Sequence, residues 1–212
     1  MTTETMNVHK AMVELKTLNS RIENGVMFNT FVRANKHGNK KIEGESIETY
    51  KEAVKNEYKS VSDMIRRHEA IKRAVVISNA TTQVKIGDKD YSVAEAIYMK
   101  TKGVIYLKNL RNKLARDLKM AQDECDRSNR TLDDRAYNHV INLFGGDKKS
   151  AMSDEMEKER KSFLESQVFE LVDPLNAKKT IEELDKMIFV FESEVDAALS
   201  VSNATTNIEV SY

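Results

Sequence analysis

The chain has 212 residues and is 40% hydrophobic, enough to bury a core as one domain or as one domain carrying an insertion. Its 34 basic residues balance 34 acidic ones, which argues against general nucleic-acid binding, because phosphate contacts need a basic excess. Seven glycines, one proline and no tryptophan are the composition of long helices with few turns, and the lone Cys125 excludes an internal disulfide.

Residues 7 to 24 place Val8, Met12, Leu15, Leu18 and Ile22 at helical spacing, and Asn24-Gly25 breaks the pattern. Val26 to Arg33 is apolar, aromatic and β-branched with partial alternation, which predicts a strand, followed by a loop over Ala34 to Gly44. Ser46 then caps a long helix in which Ile47, Tyr50, Val54, Val61, Met64, His68, Ile71 and Val75 form a coiled-coil-like seam. Gln83 to Ile86 and Lys89 to Tyr91 flank Gly87-Asp88 as a small hairpin. Ser92 and Glu95 form a capping box that opens a helix running to about Arg127, with Ile97, Val104, Leu107, Leu114, Leu118 and Ala121 on one face.

Leu132 to Phe144 and Asp154 to Leu164 read as two short helices joined by a turn over Gly145 to Lys149. They predict an inserted helical hairpin over 131–162, between a helical core (1–130) and a closing segment (163–212). In that closing segment Gln167 to Val172 alternates as a strand until Asp173-Pro174. Thr180-Ile181-Glu182-Glu183 caps a last helix with Ile181, Leu184, Ile188, Phe191, Val195 and Ala198 on its seam, and Asn207 to Ser211 forms a terminal strand.

One phrase occurs twice. Ser78-Asn79-Ala80-Thr81-Thr82 and Ser202-Asn203-Ala204-Thr205-Thr206 each close a helix and open a strand, and they read as two equivalent corners of one fold. Asn suits the left-handed end of a helix and Thr pairs suit the start of a strand. If the two following strands pair in one sheet, the two seam helices lie side by side.

The order of these elements resembles the septicolysin-like family of small bacterial proteins. The resemblance rests on Val76-Ile77-Ser78-Asn79-Ala80-Thr81-Thr82 through Ser92-Val93-Ala94-Glu95-Ala96-Ile97, and on Glu182-Glu183-Leu184-Asp185 running into Asn203-Ala204-Thr205-Thr206. It covers roughly 10–127 and 165–210. It departs at the insertion and at Ala204, where the family often has Trp. The family label implies a cytolysin and brings no catalytic residues.

No pattern marks a reaction. His9, His37, His68 and His139 are scattered with no i, i+4 pair, so no metal site is expected, and His68 reads as a seam residue. Glu182-Glu183, Asp133-Asp134 and Glu155 with Glu159 read as solvated helix faces rather than acid–base pairs. Gly145-Gly146 lacks the features of a phosphate loop. Arg66-Arg67 and Lys72-Arg73 read as a solvated basic flank of the seam. Asn79-Ala80-Thr81 and Asn203-Ala204-Thr205 match glycosylation sequons, which carry weight only with a secretion signal.

The sequence therefore predicts a mostly α (α+β) fold of long antiparallel helices with a small β-element. The chain is expected to be cytoplasmic, with no membrane span and no cofactor. The first functional expectation is a non-enzymatic, self-assembling homo-oligomer, a structural or accessory protein that joins a larger assembly, with a viral (phage) origin and a place in the virion as its extension. The second is a binding protein that sequesters a small ligand, such as a nucleotide signal, through Asn79, Thr81, Thr82, Asn203, Thr205 and Thr206. The third, carried by the family label, is a membrane-active cytolysin.

Overall fold

Residues 2–145 and 152–212 are described by a computed structural model, 73% helical with a few short antiparallel strands, the mostly α (α+β) class expected. In chain order the elements are β1 (Thr3–Asn7), α1 (Val8–Phe28), β2 (Lys41–Ile42), β3 (Glu45–Ser46), α2 (Ile47–Thr81), β4 (Gln83–Ile86), β5 (Lys89–Ser92), α3 (Val93–Tyr98), a π-helical turn (Met99–Gly103), α4 (Val104–Asn129), α5 (Leu132–Phe144), α6 (Asp154–Gln167), α7 (Ala177–Thr205) and β6 (Asn207–Ser211). They form two compact units, one of Met1–Thr101 with Val190–Tyr212, the other of Lys102–Phe189. No helix among the described residues is long and apolar enough to cross a membrane.

In the first unit α1 and α2 lie antiparallel, since Glu14 meets Arg67 while Gly25, further along α1, meets Val61, earlier on α2. Val8, Ala11, Leu15 and Leu18 of α1 bury themselves with Ile71 and Val75 of α2, and Met6, Ile208 and Val210 close the cluster from β1 and β6. The spacing of these residues on α1 is the helical apolar stripe that its sequence shows. Full burial of Ile71 contributes on the order of 2 kcal/mol from transfer out of water.

Gly25 does not stop α1. A Cβ there would sit 2.8 Å from Val61 Cγ2, so the glycine lets two helices approach closely, and α1 continues to Phe28. The strand expected over Val26 to Arg33 is absent: its first three residues are the last turn of α1, and the rest form no strand. With no neighbouring strand, β-branched content does not make a ladder. The following loop holds a hairpin that sequence reading missed, β2 with β3, turning through Glu43 (φ 51°) and Gly44 (φ 89°).

Ser46 caps α2 by accepting from Thr49 N–H, and Ser92 with Glu95 forms the expected capping box at α3. The hairpin of β4 and β5 turns at Gly87, whose φ is +59°. The helix after it is interrupted by the π-helical turn, and Ile97, expected on the buried face, is exposed. Val93 and Ala96 take the buried positions instead.

In the second unit α5 and α6 pack together: His139 stacks on Phe163 with ring centroids 4.5 Å apart, and Arg160 bonds Asp133 at 2.8 Å. The turn expected over Gly145 to Lys149 lies, beyond Gly145, outside the described residues. Gln167 to Val172 is not a strand. Asn129 takes the place of a neighbouring strand, its side chain donating to Phe169 C=O at 2.8 Å and accepting from Phe169 N–H at 2.9 Å. Nor does Thr180 cap α7, which begins three residues earlier. The Asp173 carboxylate accepts the Ala177 N–H at 2.7 Å and Asn176 takes a positive φ of 48°, so the Asp before proline supplies the cap.

Candidate functional site

The two Ser-Asn-Ala-Thr-Thr corners are local copies of each other. The Thr81 hydroxyl donates one turn back to Ile77 C=O at 3.1 Å, and the Thr205 hydroxyl donates to Val201 C=O at 2.9 Å. Thr82 N–H bonds Ser78 C=O at 2.8 Å, and Thr206 N–H bonds Ser202 C=O at 2.9 Å. Each second threonine then offers its carbonyl to the first residue of another helix: Thr82 to Val93 at 2.9 Å, Thr206 to Val8 at 3.0 Å. Asn79 and Asn203 stay helical, so the expected left-handed turn at asparagine does not occur. The backbone leaves the helix at Thr82, whose φ and ψ are extended.

The equivalence extends past the corners. β4 pairs with β5, and β6 pairs with β1, so the two repeat strands do not pair with each other as the sequence had suggested. In each strand pair one strand, β5 or β1, runs into a capped helix. Ser92 accepts from Glu95 N–H at 3.2 Å, and Asn7 accepts from Lys10 N–H at 2.8 Å. The buried positions match as well, Val84 and Ile86 with Ile208 and Val210, Val93 and Ala96 with Val8 and Ala11. The first unit thus contains one α–β·β–α motif twice, once continuous (α2–β4·β5–α3) and once assembled from the two chain ends (the part of α7 from Val190 onward, then β6·β1–α1). Strand β1 went unread because its polar Thr-Glu-Thr sequence has no strand signature; it is a strand because β6 lies beside it.

Of the six candidate binding residues, Thr82, Thr205 and Thr206 line one groove of about 570 Å³, together with Gln83, Val84 and Lys85 and with Ser193, Glu194, Ala197, Ala198, Val201 and Ser202 of α7. Asn79, Thr81 and Asn203 are outside this lining. Gln83, Lys85 and Ser193 had no sequence signal, because only the folding of α7 against β4 brings them in. Glu194 is already engaged, its carboxylate accepting Gly87 N–H at 2.7 Å. The groove offers neutral hydroxyls and one lysine, groups able to hydrogen-bond a small polar ligand.

Several of the other candidate residues have structural partners. Arg67 is not a solvated flank: its guanidinium bonds the Glu4 and Glu14 carboxylates and the Tyr212 hydroxyl, with its carbon 4.6 Å from the Tyr212 ring centre, tying α2 to β1, α1 and the end of β6. Hydrogen bonding to Glu14 is the main cause of its raised pKa. Arg66 pairs with Asp63 on its own helix. His139 meets Glu159 at 3.3 Å. In the second unit Arg111 forks onto Asp185 with two contacts of 2.9 Å, which lowers the Asp185 pKa. The Glu95 carboxylate is also held low, first by the Ser92 N–H and then by its hydroxyl. No group of three metal-ligating side chains is present among the described residues. No protein-family model matches the chain, and no curated protein or solved structure does.

Proposed function

We propose that this chain is a non-enzymatic protein whose function is self-assembly into a homo-oligomer. One observation carries the reading: the doubled α–β·β–α motif leaves the same positions apolar and exposed in both copies. Ile77 and Val201, each just before its corner, are 59% and 63% exposed. Met12 and Val13 on α1 are exposed, and so are their equivalents Ile97 and Tyr98 after α3 begins. A single exposed apolar residue needs no explanation, whereas repetition at equivalent positions marks faces kept apolar for contact. The strand pairs add open edges, since among the described residues β4 and β6 each pair on one side only. A second copy of the chain, carrying the same paired faces, is the natural occupant of a two-fold interface. Incorporation into a larger assembly such as a virion is the extension of the same reading.

Light scattering coupled to gel filtration tests it. The wild type is expected to show a discrete multiple of its 24.2 kDa chain mass. Ile77→Lys combined with Val201→Lys is expected to return it to the monomer mass with an unchanged circular dichroism spectrum. A wild type that is monomeric at micromolar concentration overturns the proposal.

A second reading, sequestration of a small polar ligand, is favoured by the meeting of Thr82, Thr205 and Thr206 on one groove. Native mass spectrometry after exposure to cell extract is its test. A reproducible small added mass that disappears in a variant with Thr81, Thr82, Thr205 and Thr206 changed to Val supports it, and absence of any added mass removes it.

A further inference from the structure

The charge balance of the whole chain conceals local imbalance. From Arg33 to Lys41 the loop after α1 carries four Lys or Arg residues and no acid. This loop folds against the first turns of α2, and the two line an open pocket of about 500 Å³. The wall is held in shape by Asn35, whose side chain donates to Lys41 C=O at 3.3 Å and accepts from Lys36 N–H and from the Asn39 side chain, both at 3.0 Å. The β2–β3 hairpin completes it. Its floor is apolar and partly aromatic, made by Phe31, Ile42, Ile47, Tyr50 and Val54, all half-buried. Lys36, His37, Lys51 and Lys55 stand around it, and no acidic side chain is among its lining residues. Arg33 is engaged by Glu43 at 2.6 Å, which leaves the three lysines as the cations of the rim.

We propose that this pocket binds a small phosphorylated ligand with a flat apolar body, of the nucleoside-phosphate class. An apolar floor with a few convergent polar groups at the mouth is the form of a small-molecule site. Several lysines around one opening suit a polyanion rather than a single carboxylate, since each ammonium acts as a point charge for a phosphate oxygen. Phe31 and Tyr50 offer ring surfaces to an aromatic base. This site is separate from the Thr-lined groove.

Isothermal titration of the full chain with adenosine triphosphate, inorganic pyrophosphate and adenosine tests the assignment. Adenosine triphosphate is expected to bind with Kd below about 0.1 mM, pyrophosphate at least tenfold more weakly, and adenosine more weakly still. Lys51→Ala combined with Lys55→Ala, two exposed positions on α2 where Ala is a good helix former, is expected to weaken adenosine triphosphate at least tenfold with an unchanged melting curve. Lys158→Ala combined with Lys161→Ala, two exposed positions on α6, is expected to leave it unchanged. Three results would overturn the proposal: no binding of adenosine triphosphate, equal loss in both double variants, or pyrophosphate binding as tightly as the nucleotide. Tighter binding of a single-stranded oligonucleotide or of anionic lipid vesicles than of adenosine triphosphate, lost in the Lys51 and Lys55 variant, would also overturn it and reassign the basic loop to a macromolecular partner.

Discussion

Gly25 shows how a single residue is misread when its neighbours in space are unknown. In the sequence Asn24-Gly25 is a helix stop; in the fold it is the point where α1 touches Val61. Gly25→Ala should therefore destabilise the protein by about 1–3 kcal/mol through overpacking, even though Ala alone favours a helix by about 1 kcal/mol. Adding Val61→Ala should recover part of that loss in a double-mutant cycle read by urea unfolding, because it clears the atom the new Cβ meets. Arg67 is the second such residue. Arg67→Met should lower stability by about 1–3 kcal/mol, since it leaves the half-buried Glu4 and Glu14 carboxylates without their shared donor. Arg67→Lys should recover only a fraction, having no fork to span two carboxylates and the Tyr212 hydroxyl. Thermal melts of the two variants check this.

Some elements with local signals were legible in full, although the Thr180 cap and the Gly25 stop were not. Helix α5 was placed from its period alone, and the start of α3 from Ser92 and Glu95, because a capping box is complete within four residues. That box makes a pH prediction. The Glu95 carboxyl is held below its ordinary 4.5 in the folded state, so its contribution is present above that value and is lost as pH falls through the folded-state pKa. Glu95→Gln removes the titration but keeps a hydrogen-bonding side chain. The Tm gap between wild type and E95Q should therefore be widest near about pH 6 and narrow towards about pH 3. A gap that widens on acidification would contradict the assignment. The two false strands, Val26 to Arg33 and Gln167 to Val172, failed for the opposite reason. A strand needs a partner ladder, and neither segment has one: the first is partly helix and the second leans on the Asn129 side chain.

At the scale of the molecule, the motif assembled from the chain ends suggests that connectivity is incidental to the fold. Thr2 N–H bonds Tyr212 C=O at 3.0 Å and Tyr212 N–H bonds Thr2 C=O at 3.2 Å, so the ends already sit where the other copy has its Gly87-Asp88 turn. A circular permutant that joins Tyr212 to Thr2 through a two-residue turn and opens between Gly87 and Asp88 should fold with the wild-type circular dichroism spectrum and a cooperative melt. The sequence by itself determined the helical class, the seams of α2 and α7, the caps at Ser46 and Ser92 and the existence of two equivalent corners, because spacing and capping act over one or two turns of chain. Only the tertiary structure decided that β1 is a strand, that the repeat strands pair with β5 and β1 rather than with each other, and that Thr82, Thr205 and Thr206 share a groove while Lys36, Lys51 and Lys55 ring a pocket. Those facts depend on contacts between residues far apart in the chain, and their pairing is set by packing rather than by any local pattern.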